Sequence, residues 1–131
     1  MSYALSIDLV QTFDEVVPQV KQALADNGFG IVAEIDMQKT LKNKIGVEIG
    51  PHLILGACNP QFAHRALQVE PSIGLLLPCN VVVRHTAGVT VVEAINPDTL
   101  VALTENPALA DLAKELAAAL NASLDVLRGA D

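Results

Sequence analysis

The sequence predicts an α+β domain: a mostly antiparallel sheet of about five strands with helices packed on one face. Three observations carry this. The chain opens on a period-two alternation, Tyr3, Leu5, Ile7 and Leu9 against Ala4, Ser6, Asp8 and Val10, which marks a half-buried strand. Its middle holds two valine-rich arms, residues 80–85 and 89–95, joined through Thr86-Ala87-Gly88 in the manner of a hairpin. Its end carries Leu109, Leu112, Leu116, Leu120, Leu124 and Leu127 at spacings of three and four, a helical stripe that must lie on something apolar.

Composition sets the bounds. At 131 residues, 51% of them hydrophobic, the chain has the size of one domain, residues 1–131, able to bury one core without staples. A net charge of −7 argues against nucleic acid or an anionic membrane as partner, because phosphate binding needs a clustered positive field. No apolar run approaches the roughly 18 residues of a membrane span. The first strand begins at once, with no basic and apolar leader before it, and this predicts a cytoplasmic protein. The two cysteines are then expected to be free thiols.

Taken in order, the first strand runs over about residues 2–10. Thr12 followed by Glu15 matches a capping box, and Phe13, Val16, Val17, Val20, Ala23 and Leu24 share one face of the helix behind it, which stops at Asn27-Gly28. Pro18 is expected to kink that helix. A second strand, Phe29 to Ile35, places Phe29, Ile31, Ala33 and Ile35 on one face. Asp36 caps a short helix with Met37, Leu41 and Ile45 four apart and Gly46 as its stop. Lys39, Lys42 and Lys44 crowd three of the eight basic residues onto it, either as a solvated face or as an anion or partner contact.

Residues 53–58 are continuously apolar, which suggests a strand covered on both faces. Asn59-Pro60 starts a helix that buries Phe62, Ala63, Ala66 and Leu67 and ends near Glu70-Pro71. Ile73, Leu75, Leu76 and Leu77 follow; a monomer must bury them or expose a patch, and they give the sequence its warrant for a homodimer. Proline at 78 fixes the chain and is open to a cis bond, with trans as the default. After the hairpin, Asn96-Pro97-Asp98 opens a short helical turn, and Asn106-Pro107 starts the leucine-striped helix that Gly129 ends.

The chemistry-bearing residues concentrate between Pro51 and His85. Cys58-Asn59 and Cys79-Asn80 are near-copies of one turn, and the repetition suggests that both meet at one end of the sheet. Cys58 precedes a helix N-cap, where a thiol is either activated by the helix dipole or packed as a small apolar group. Asn59 and Asn80 either cap backbone or join the thiols in a polar cluster. Arg84 either pairs with Glu93 across the hairpin or counters an anionic ligand. Cys58, Asn59, Cys79, Asn80 and Arg84 are therefore the candidate ligand-binding residues.

A metal site finds little support, since six residues, about 20 Å of extended strand, separate His52 from Cys58 and Cys79 from His85. A composite of Cys58, Cys79 and His64 has no characteristic spacing behind it. No catalytic residue, phosphate loop or nucleotide fingerprint stands out, and no cofactor is indicated.

GACNP at 56–60, Ala66-Leu67 and Glu70-Pro71, IGLLLPCNVVVR at 73–84, and Ala94-Ile95-Asn96-Pro97 together resemble the family catalogued as domain of unknown function 302. The resemblance runs over nearly the whole chain. It implies a TATA-binding-protein-like topology, often homodimeric, and no established activity; DNA binding does not follow from the fold. The expected function is a non-catalytic homodimeric module holding a small, anionic ligand near the two Cys-Asn turns, with Arg84 or the lysine helix as counter-charge. The alternatives are a thiol-based redox or metal-handling protein using Cys58 and Cys79, and a pure interaction domain.

Overall fold

A computed structural model describes residues 2–130. The opening alternation becomes β1 (Ala4–Leu9), with Ile7 and Leu9 buried and Ser6 and Asp8 exposed. The Thr12 hydroxyl accepts from the Glu15 backbone N–H at 3.2 Å and starts α1 (Phe13–Asp26). Val16, Val20, Ala23 and Leu24 face the core, while Pro18 sits on the exposed side with the chain helical through it. Gly28 takes φ +89°, a left-handed conformation costly for other residues, and lets the Phe29 N–H turn back to the Leu24 carbonyl at 2.9 Å.

In β2 (Gly30–Asp36) the expected face assignment fails. A register shift against the next strand between Ile31 and Ala33 inserts an extra residue, Val32, and reverses the phase. Ile31 therefore lies with the helix-facing residues, and Ala33 and Ile35 lie on the other side. Asp36 caps α2 (Met37–Ile45), accepting from the Lys39 N–H at 2.9 Å, and Gly46 closes it at φ +69°. No residue of α2 is buried, and it packs chiefly against β2 and β3 (His52–Cys58).

Asn59 then caps α3 (Pro60–Val69), which buries Phe62 and Ala66 and leaves Leu67 exposed. Residues Pro71–Leu76 form a 3-10 turn. Ile73 is fully buried, Leu76 and Leu77 pack against the core, and only Leu75 projects, 88% exposed. This stretch is mostly structural, so the sequence's own warrant for a dimer reduces to one leucine. The hairpin is β4 (Cys79–Thr86) and β5 (Val89–Ile95), followed by α4 (Asp98–Thr104), a 3-10 turn at Pro107–Leu109 and α5 (Ala110–Ala130), which runs through Gly129 instead of stopping there.

The strand order is β1-β5-β4-β3-β2, with every neighbouring pair antiparallel. Residues of one phase point to the helices: Ile7 and Leu9, Val92 and Ala94, Val81 and Val83, and Leu55 and Ala57 are all buried in one cluster with the α5 leucines. The opposite phase holds Asp8, Val91, Glu93, Ile95, Asn80, Val82, Arg84, His52 and Ile54. The apolar run 53–58 is thus covered by helices on one side only.

Thr86 pairs with Val89, leaving Ala87 and Gly88 as a two-residue turn with φ of 50° and 79°. Positive φ at both positions is the primed hairpin turn, which favours Asn-Gly. The sequence marked Gly88 for it and missed Ala87. Ala87→Asn should stabilise the protein by about 0.5–1 kcal/mol, read as a raised urea midpoint with an unchanged slope.

Candidate functional site

The Cys-Asn turns do meet. Ala57 pairs with Cys79 and Gly56 with Asn80, so the end of β3 and the start of β4 share one end of the sheet. Alternation then separates the four residues. Cys79 has the phase of Val81 and Val83 and is buried on the helix side. Asn80 and Arg84, the second and sixth residues of the strand, have the opposite phase, and Cys58, in phase with Gly56, falls on their side with intermediate exposure.

Each residue has a local cause. The Asn59 side chain accepts from the Phe62 N–H at 3.1 Å, the N-cap bond that Asn-Pro foreshadows, and its amide nitrogen stands 3.4 Å from where a Cβ on Gly28 would be. The Asn59 side-chain oxygen is thus engaged as the cap of α3. Burial, and secondarily the Cys58 thiol nearby, push the Cys79 thiol up to about 11 from its ordinary 9.0. Cys79 is a neutral thiol at physiological pH, the inert form. Arg84 donates from Nε to Glu93 Oε1 at 3.0 Å, the cross-strand pairing that was the alternative to ligand binding. Both side chains are about one-third exposed, so the pair is worth little in stability but does occupy the guanidinium.

The Leu77–Pro78 bond is cis, where trans is the default. The Pro78 ring lies over Gly56 so closely that a Cβ there would stand 2.8 Å from Pro78 Cγ and 3.2 Å from Ala33 Cβ. Gly56 is required by this approach.

Two hollows bear on function. On the open sheet face, Asn80, Val82, Glu93, Ile95, Tyr3 and Ala4 line a shallow groove of about 230 Å³ whose walls are mainly apolar. Tyr3, Val82 and Ile95 were not singled out in the sequence, because placing them together requires the strand order. Beside α2, Gln38, Lys39, Lys42, Glu48 and Ile49 line a polar hollow of about 310 Å³. Lys42 reaches Glu48 at 3.6 Å, and Gln38 donates to the Ile49 carbonyl at 3.1 Å. Among the described residues no three His, Cys, Asp or Glu side chains gather closely enough to hold a metal ion, so Cys58, Cys79 and His64 do not form a composite site. No described helix is long and apolar enough to cross a membrane.

The sequence profile of the family described as Domain of unknown function DUF302 matches residues 5–127. A crystal structure of an uncharacterized conserved protein DUF302 from Bacillus stearothermophilus is similar at a TM-score of 0.89 and 30% identity, covering 95% of this chain and 98% of that one. No curated protein matches the chain.

Two outcomes test the site's construction. Gly56→Ala should cost about 1–3 kcal/mol, since the proline ring and the strand must shift to admit a methyl group; an unchanged melting temperature would show that Pro78 yields freely. The raised Cys79 pKa means that folding holds the proton more tightly than the unfolded chain does. Its contribution is complete below about pH 9 and declines as pH climbs from 9.0 toward 11. Wild type should lose on the order of 2–3 kcal/mol across that window that Cys79→Ala does not lose, measured by urea unfolding of both proteins at pH 8 and 11.

Proposed function

The chain belongs to the DUF302 family, and we propose that it is a non-catalytic binding module, working as a homodimer, that holds a small ligand in the groove on the open face of its sheet. The groove carries the reading. Val82, Ile95 and Tyr3 give it apolar walls, and Asn80 brings an amide that both donates and accepts. A concave, mainly apolar surface with a few polar groups is the usual make-up of a ligand site. At about 230 Å³ it suits a molecule smaller than most drugs.

The ligand's charge follows from Arg84. Glu93, which lines the groove, already balances the Arg84 charge through Nε at 3.0 Å, and Arg84 is not itself among the residues lining the groove. A neutral ligand with a polar end for Asn80 fits this surface better than the anion that Arg84 alone suggests. The lysine-lined hollow beside α2 is the better supported place for an anionic contact. Asp8 and Glu93 on the open face repel phosphate, which favours a partner other than nucleic acid. A redox or metal-handling role has less support, because burial keeps the Cys79 thiol protonated.

Native mass spectrometry of the protein as purified, set beside the denatured sample, tests the ligand. The expected result is a mass excess that denaturation removes and that Asn80→Ala lowers. A clean protein mass, together with Val82 and Ile95 methyl resonances that no member of a fragment library moves at millimolar concentration, would overturn the reading.

A further inference from the structure

We propose that the open-face groove takes an uncharged aromatic ring carrying an N–H or O–H donor on one edge, and that this donor binds the Glu93 carboxylate. This rests on the groove reading above and adds to it the chemical class of the ligand.

Register lays out the floor. On the open face Val82 stands directly across from Glu93, and Glu93 across from Ser6 of β1; two residues along, Ile95 stands across from Ala4. Asn80 lies two residues before Val82 on β4, so it shares that face and is a diagonal neighbour of Glu93. Cβ atoms in that relation are about 7 Å apart. The amide and the carboxylate therefore occupy one diagonal of the groove, and the apolar Val82 and Ile95 the other. Ala4 and Tyr3, the latter 73% exposed, border it.

The carboxylate decides which way the ligand's hydrogen bond runs. Arg84 Nε occupies Oε1 at 3.0 Å, and among the described residues nothing donates to Oε2. An ionised carboxylate only accepts, so a ligand group beside it must donate. Water serves Oε2 while the groove is empty. A ligand that displaces this water without replacing its hydrogen bond leaves a desolvated charged oxygen unpaired, which costs more than an ordinary hydrogen bond is worth. Asn80 is exposed and its amide both donates and accepts, so it tolerates a second polar atom of either kind.

Charge and shape narrow the class further. The guanidinium already balances Glu93, so a cation finds no net negative charge at this point. An anion meets the carboxylate itself, with Asp8 further along β1 on the same face. The hollow is shallow, about 230 Å³, and its walls are mainly apolar. A flat ring lays one whole face on such a floor and removes more apolar area from water than a rounded molecule of equal volume.

The test uses the full chain, with methyl groups and side-chain amides labelled for NMR, titrated at neutral pH with indole, benzofuran, tryptamine and indole-3-acetate. Benzofuran is indole with an oxygen in place of the N–H; the other two add a positive and a negative charge. Indole is expected to move the Val82 and Ile95 methyl and Asn80 amide resonances, with a dissociation constant at least about tenfold below that of benzofuran and no higher than those of the charged probes. In Glu93→Gln the carbonyl can stay on Arg84 and present the amide N–H₂ to the groove, so the preference for indole should disappear. Benzofuran as tight as indole, a charged probe at least about tenfold tighter, or a preference that Glu93→Gln leaves unchanged overturns this class alone. So does a failure of all four to move the Val82 and Ile95 methyls at millimolar concentration; the groove reading falls with it only if the wider fragment library moves them no more.

Discussion

Burial of the leucine stripe of α5 and the 3-10 turn before it against one face of the sheet is the contact on which the remaining structure depends. Leu109, Leu112, Leu116, Leu120, Leu124 and Leu127 are all buried there, against Ile7 and Leu9 and the inward residues of the hairpin. At roughly 2 kcal/mol for each buried leucine this stripe outweighs any single polar interaction in the molecule, even after allowing that the unfolded chain buries part of that surface already. α1 shares the same face, tied to α5 by Ser123, whose hydroxyl donates to the Ala23 carbonyl at 3.4 Å. With both long helices on one side, the sheet's other face is left without a long helix, though the Pro78 ring lies over Gly56 there and Val91 is only 6% exposed. The residues on that face follow from this division of the sheet.

The two Cys-Asn turns show how one residue of register divides similar dipeptides between different tasks. Both sit at the same end of neighbouring antiparallel strands. In the first, the strand ends at Cys58, so Asn59 leaves the sheet and caps a helix. In the second, the strand begins at Cys79, so Asn80 stays within the sheet and faces outward. The cysteines are correspondingly split, one partly exposed and one buried with its thiol proton held tightly. Chemical similarity along the chain pointed to proximity, which the pairing of Ala57 with Cys79 shows, but it carried no information on orientation, because orientation in a sheet depends on parity and not on distance.

The same distinction explains what was legible in the sequence. Signals that act within a turn or two of backbone were readable: the caps at Thr12, Asp36 and Asn59, the left-handed Gly28 and Gly46, the leucine stripe and the hairpin all stand where periodicity and capping chemistry put them. Features that depend on a neighbouring strand were not. The bulge at Val32 reverses the phase of β2 through its pairing with β3, and the groove brings Tyr3 to Val82 across two strand boundaries. Arg84 was an intermediate case, since its pairing with Glu93 crosses only the hairpin and a cross-strand acid is visible from the turn.

The run from Leu53 to Cys58 reads as a strand buried on both faces; helices cover the inward one, and on the outward one the Pro78 ring lies over Gly56. Ile54 and the outward Val82 and Val91 beside it are a pattern suited to a sheet with something on each side. Val91 lies in that outward phase and is nevertheless only 6% exposed, so part of this face is already sheltered by the chain itself, and the outward valines do not by themselves call for a second layer.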